Sequence, residues 1–166
     1  MRLIGCILLI ISTTATGCYL SVMIKRRIRL FNTLALLAGN VSAAIRYSGD
    51  DITKILLQEG LLLKLDFIKN AVSCVEKGEA LEKGWQESVD GIPVFCGITK
   101  EDRALIKQFG SKLGTTDVYG QTDHCEYFKE LFHSRASKLA QECVGKSRVY
   151  RCLGFFSGAA ISLAVI

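Results

Sequence analysis

The two ends of this chain decide what it can fold into. Residues 3–24, LIGCILLIISTTATGCYLSVMI, carry no charge. As an α-helix they would reach about 33 Å, enough to cross the hydrocarbon core of a bilayer. Residues 152–166, CLGFFSGAAISLAVI, are also uncharged. That run is short for a span: either the natural chain continues past it, or a thinned bilayer accommodates it with Arg151 snorkelling to the interface. Each apolar run is bordered on its inner side by cations: Lys25, Arg26, Arg27 and Arg29 after the first, Lys146, Arg148 and Arg151 before the second. Because Lys and Arg gather at the cytoplasmic ends of spans, the pattern predicts an N-terminal transmembrane helix over residues 1–24, a cytoplasmic domain over 25–151 and a C-terminal membrane segment over 152–166. Gly154 and Gly158, with Ser157, Ala159 and Ala160, give the second segment a small-residue face on which another membrane helix can pack closely. A cleaved leader is the alternative. Ala15-Thr16-Gly17-Cys18 resembles an imperfect lipoprotein box, and cleavage near Cys18 would leave an exported or lipid-anchored helical adaptor domain. Against cleavage, the apolar run continues to Ile24 and then meets KRRIR, the pattern of a retained anchor.

Charge supports this division. The formal net charge is +5, but residues 46–142 hold 13 basic and 16 acidic residues, a net of −3. The basic excess therefore belongs to the membrane borders, whereas a nucleic-acid-binding protein carries its basic stripe on the folded domain. Nucleic acid is excluded as a partner on that ground. Seven cysteines form no CxxC pair, which fits small apolar residues in a reducing compartment better than disulfides. His124 and Cys125 are adjacent, so on a helix they point about 100° apart, and no second pair completes a tetrahedral metal site.

The middle of the chain reads as helices. Proline occurs once, at Pro93. Leu30, Leu34, Leu37, Val41 and Ile45 recur at three- and four-residue spacing, so the first membrane helix is expected to continue into the cytoplasm with a core-facing stripe. Gly49-Asp50-Asp51 ends it, and either aspartate can cap the next helix, over residues 52–58. A third helix is expected over 61–76 with Leu61, Leu65, Ile68, Val72 and Val75 inward. A short one over 81–88 holds Trp85, the only tryptophan. Thr99 is the expected N-cap of the next, which turns Ala104, Leu105, Ile106 and Phe109 to the core. Gln121, Cys125, Phe128, Phe132, Ala136, Leu139 and Cys143 then mark one stripe over about six turns of a long helix that runs into the C-terminal segment. The fold class is all-α: an antiparallel helical bundle between two membrane segments.

Chemistry is sparse. The chain has no phosphate-binding loop, GxGxxG, HExxH or GxSxG. The carboxylate pairs Asp50-Asp51 and Glu101-Asp102 stand at helix starts, where capping explains them. No catalytic, cofactor or metal residues are assigned, and no small-molecule substrate is expected. A thiolate enzyme using Cys125 beside His124 is the competing reading. One constellation is more particular: Phe109, Gly110, Leu113, Gly114, Asp117 and Gln121, in the order FG-x-x-LG-x-x-D-x-x-x-Q. It serves either to fix the turn between two packed helices or as a contact site for a partner.

This motif, with the following long helix and the RxLGFFSG entry into an apolar tail, resembles the stage III sporulation protein AB family. The resemblance covers essentially the whole chain, although residues 85–98 and the cysteines have no counterpart in it. It implies a non-enzymatic platform in the mother-cell membrane around the forespore, with its bundle facing the cytoplasm. There it would join the channel complex between the two cells, beside other membrane subunits and a secretion-type ATPase. It also implies a domain similar to the F-type platform proteins of type II secretion.

Overall fold

The computed structural model describes the backbone of Arg2–Val165 and the side chains of Ser12 and of residues 15–143. It is all-helical among those residues, in the order α1 (Arg2–Tyr47), α2 (Ile52–Leu62), α3 (Asp66–Glu76), α4 (Leu81–Asp90), a 3-10 turn (Val94–Cys96), α5 (Lys100–Gly110) and α6 (Val118–Val165). The two long helices lie antiparallel. Phe31 of α1 meets Phe132 of α6 with ring centroids 6.0 Å apart, and Gly39 sits beside the Lys129 stem. Between them the chain runs down, up, down and up again through α2 to α5, so every chain neighbour is antiparallel.

The stripes set the packing. All seven residues of the Gln121-to-Cys143 stripe are buried, and so are Leu34, Leu37 and Val41 of α1. Leu30 and Ile45 are partly buried against them, while Phe31 and Ala38 widen the α1 stripe. Both helices are uninterrupted, because the single proline falls outside them. Among the described residues, Ala15–Tyr47 is long and apolar enough to cross a membrane, with mean hydropathy 1.4. Only 33% of its most apolar window is buried. Phe31, Leu34, Leu37, Ala38 and Val41 use their apolarity inside the bundle, whereas Leu36 and, nearer the N-terminus, Tyr19, Leu20 and Val22 are exposed. The side chains around Gly154 and Gly158 lie outside the described residues.

Three local expectations are corrected. The third helix does not start at Leu61: α2 continues to Leu62 and α3 begins at Asp66. The corner is made by Lys64, which stands at φ +56° while Leu65 N–H donates to Gly60 O. Leu61 is consequently exposed and Val75 only half-buried, although Leu65 and Ile68 are in the core. On α5, Ile106 and Phe109 face inward, Leu105 is half-buried and Ala104 faces solvent. Asp51 is the N-cap residue of α2, but its side chain makes no cap hydrogen bond and takes the Thr53 hydroxyl instead.

Candidate functional site

The motif residues converge on the turn between α5 and α6. Phe109 is fully buried, with Trp85 at 5.7 Å, Phe128 at 5.5 Å and Phe132 at 5.6 Å between ring centroids. Next to it, Gly110 faces the Trp85 indole so closely that a Cβ would stand 2.2 Å from its Cδ1. No residue larger than glycine fits without displacing the ring. Trp85 is itself fixed, since its Nε1–H donates to Ile106 O at 2.9 Å. Leu113 is buried, and Gly114 takes φ +79°, a conformation that costs glycine least. Asp117 Oδ1 then accepts the Gly120 N–H at 3.1 Å and caps α6. Gln121 closes the turn from behind: its Nε2 donates to Lys112 O at 3.0 Å and to Thr116 Oγ1 at 3.1 Å. Asp117 and Gln121 do not share a surface, because the first is exposed and the second buried. Beside Asp117 the turn shows Val118 and Tyr119 to solvent, the latter 81% exposed. This turn occupies the end of the bundle away from the apolar ends of α1 and α6.

A second centre lies toward the other end of the bundle, where α1 leaves its charge-free run. Thr99 is the expected N-cap, and with Asp102 it forms a capping box: Asp102 N–H donates to Thr99 Oγ1 at 3.3 Å, and Thr99 N–H donates to Asp102 Oδ2 at 3.0 Å. Capping does not exhaust the aspartate. Its side chain is wholly buried, with Arg27 Nε of α1 2.6 Å from Oδ2. Arg135 of α6 donates to Oδ1 from Nε at 3.0 Å and from Nη2 at 2.9 Å. Burial works to raise the Asp102 pKa. The contacts with Arg27, the Thr99 N–H and Arg135 outweigh it and hold the carboxyl below its usual range. One anion thus binds α1, α5 and α6 together. Arg103 reinforces the same region by donating from Nη2 to Ile92 O at 2.6 Å and from Nη1 to Val89 O and Asp90 O, carbonyls at and just past the end of α4. The sequence signal for Asp102 is its place at N3 of a capping box. Its partners, 33 residues ahead and on the first helix, leave no local trace.

The thiolate reading fails on geometry. Cys125 is fully buried, and burial followed by the Glu126 charge pushes its thiol up to about 12, so it is protonated at neutral pH. His124 stacks on Phe109, and its Nε2 lies 2.8 Å from Phe109 O, which requires the N–H there and leaves that nitrogen unable to act as a base. Cys74, Glu79 and Glu87 bring donor atoms within 4.8 Å of one another. Lys83 already sits among them, 3.1 Å from Glu79 and 4.0 Å from Glu87, and supplies the positive charge the cluster attracts.

No solved structure matches the chain. Stage III sporulation protein AB of Bacillus subtilis (strain 168) is 24% identical over 176 aligned positions, which span 100% of this chain and 99% of that protein. The sequence pattern of the same family covers residues 2–166, and the chain therefore belongs to the stage III sporulation protein AB family of sporulation proteins.

Proposed function

We propose that the protein is a non-catalytic platform of the channel complex between mother cell and forespore. In this reading residues 1–24 and 152–166 lie in the mother-cell membrane, and residues 25–151 form a cytoplasmic bundle that docks a secretion-type ATPase and other subunits. The observation that carries it is the placement of the family motif. Its backbone-fixing residues point into the core, while Asp117, Val118 and Tyr119 are displayed at the tip farthest from the apolar helix ends. A rigid turn presenting an aromatic and an acid suits a partner contact and exceeds what an isolated helix hairpin needs. Retention of the leader is favoured over cleavage near Cys18, because α1 is continuous through that residue and Gly17 and Ser21 are buried.

Two measurements test this reading. Asp117→Ser with Tyr119→Ala keeps an N-capping oxygen and alters only exposed atoms, so the helical signal and thermal midpoint should stay within about 2 °C of the parent. Co-purification of the ATPase from sporulating cells should fall at least about tenfold, the effect of losing one contact residue worth about 1.4 kcal/mol. Unchanged co-purification would remove the tip as the docking site. Sidedness is read separately. Single cysteines at Lys77 and Lys112, with the native cysteines replaced, should resist an impermeant thiol reagent until the cells are lysed. Labelling on intact cells would mean an exported bundle and would end the platform reading.

A further inference from the structure

We infer that the loop between α4 and α5 is a second membrane contact, an apolar wedge that enters the lipid interface beside α1. The inference rests on α1 being a membrane helix. The loop, Ile92-Pro-Val-Phe-Cys-Gly-Ile98, is turned by the 3-10 segment Val94–Cys96 and closed by Gly97 at φ +72°. It is held against α1 at one level. A Cβ on Gly97 would stand 3.0 Å from Met23 O, so only glycine lets the loop backbone approach the helix this closely. Three residues further along α1, the Arg26 guanidinium lies 5.5 Å from the centre of the Phe95 ring. Met23 to Arg26 is where the charge-free run of α1 ends and its basic cluster begins. The loop is therefore fixed at the height of the membrane border.

Its outward residues are the wrong ones for water. Val94 is 78% exposed and Phe95 is 50% exposed. Phe95 forms one wall of a cleft of about 400 Å³ that it shares with Leu30, Phe67 and Ile92, and it leaves half of its surface outside. On the neighbouring stretch of α1, Lys25, Arg26 and Arg29 are exposed, whereas Arg27 is turned inward to Asp102. An exposed aromatic and a β-branched residue beside the basic end of the charge-free run match the boundary between acyl chains and anionic headgroups. The occupant of this surface is thus the bilayer in which α1 is anchored. The bundle is held at a fixed tilt by two contacts instead of swinging from its helices.

The test uses tryptophan quenching by brominated acyl chains, with the full chain reconstituted in vesicles of phosphatidylcholine and phosphatidylglycerol at about 3:1. Phe95→Trp, Tyr19→Trp and Tyr119→Trp are each read as the difference from the parent, whose Trp85 is buried. The Tyr19→Trp variant reports the α1 span and the Tyr119→Trp variant the far tip. The wedge requires the Phe95→Trp variant to be quenched at least half as strongly as the α1 reporter, with the tip reporter unaffected. It also requires quenching of the loop reporter to weaken when the anionic lipid is omitted. A loop reporter that behaves like the tip while the α1 reporter is quenched overturns the wedge and leaves the membrane helix standing, as when a protein partner covers the loop. Absence of quenching in both the loop and α1 reporters overturns the wedge together with the membrane reading of α1.

Discussion

Asp102→Ala is expected to lower the thermal midpoint of the detergent-solubilised full chain by about 10 °C, from a loss of about 3–5 kcal/mol. The loss has two sources. Removing the carboxylate leaves Arg27 and Arg135 facing each other without the anion that pairs them, in a region where Arg27 is mostly buried. It also removes half of the capping box that starts α5, a contribution of about 1 kcal/mol. The two guanidiniums repel, so they are expected to push α1 and α6 apart at this level. The pH dependence has a defined sign. Because the folded-state pKa of Asp102 is lowered, its contribution is complete above the unfolded carboxylate value of about 4 and is lost as pH falls through the folded value. The difference between parent and Asp102→Ala should therefore shrink in acid and hold steady from about pH 5 upward. Melting followed by circular dichroism measures both effects. A midpoint change under about 2 °C at neutral pH would show that the three charges contribute nothing to holding the helices. Replacing the whole set (Arg27→Met, Asp102→Leu, Arg135→Met) should recover most of the loss, as buried ion clusters exchanged for apolar residues of similar volume usually do.

Gly110→Ala is the second large effect, about 3 kcal/mol or more. A methyl group at 2.2 Å from the indole cannot be relieved by a side-chain rotation, because Trp85 is pinned between Phe67, Phe109 and its hydrogen bond to Ile106 O. Either the indole tilts out of the core or α5 moves away from α4. Both break the Trp85 hydrogen bond, so the tryptophan emission should shift to the red and the near-ultraviolet dichroism should weaken. The effect should be coupled to Trp85. In a Trp85→Leu background the alanine should cost less than about 1 kcal/mol, since the atoms it strikes are gone. Equal costs in the two backgrounds would place the strain elsewhere on α5.

These two residues also mark the limits of what can be read from the chain. The helical stripes are legible because each is written in one helix at its own period, and all seven positions from Gln121 to Cys143 are buried. The motif is legible as a constellation, and the roles of Gly114 and Asp117 follow from turn chemistry. That Gly110 exists to admit Trp85 is hidden, because the indole comes from another helix, α4. Asp102 reads as a cap, and a cap it is; a local role that suffices gives no reason to look for a distant one. The corner at Lys64 is hidden for the opposite reason. The run Leu61-Leu-Leu-Lys-Leu65 contains no helix breaker, and the turn is imposed by packing Leu65 and Phe67 into the core. The wedge loop carries no motif of its own, and its meaning depends on its height along α1.

The continuity of α1 has a mechanical result. Forty-six residues without a break form a rod of about 69 Å, and α6 runs alongside it with 48. The Asp102 junction joins the pair between the tip and the apolar ends, so the two rods cannot slide past each other freely. From Lys25 to Tyr47 the rod is about 33 Å long, so a change of about 10° in its angle would move the tip by about 6 Å, and whatever fixes that angle fixes where the tip stands. Such a pair behaves as a stiff strut: an angle held at one end becomes a position held at the other.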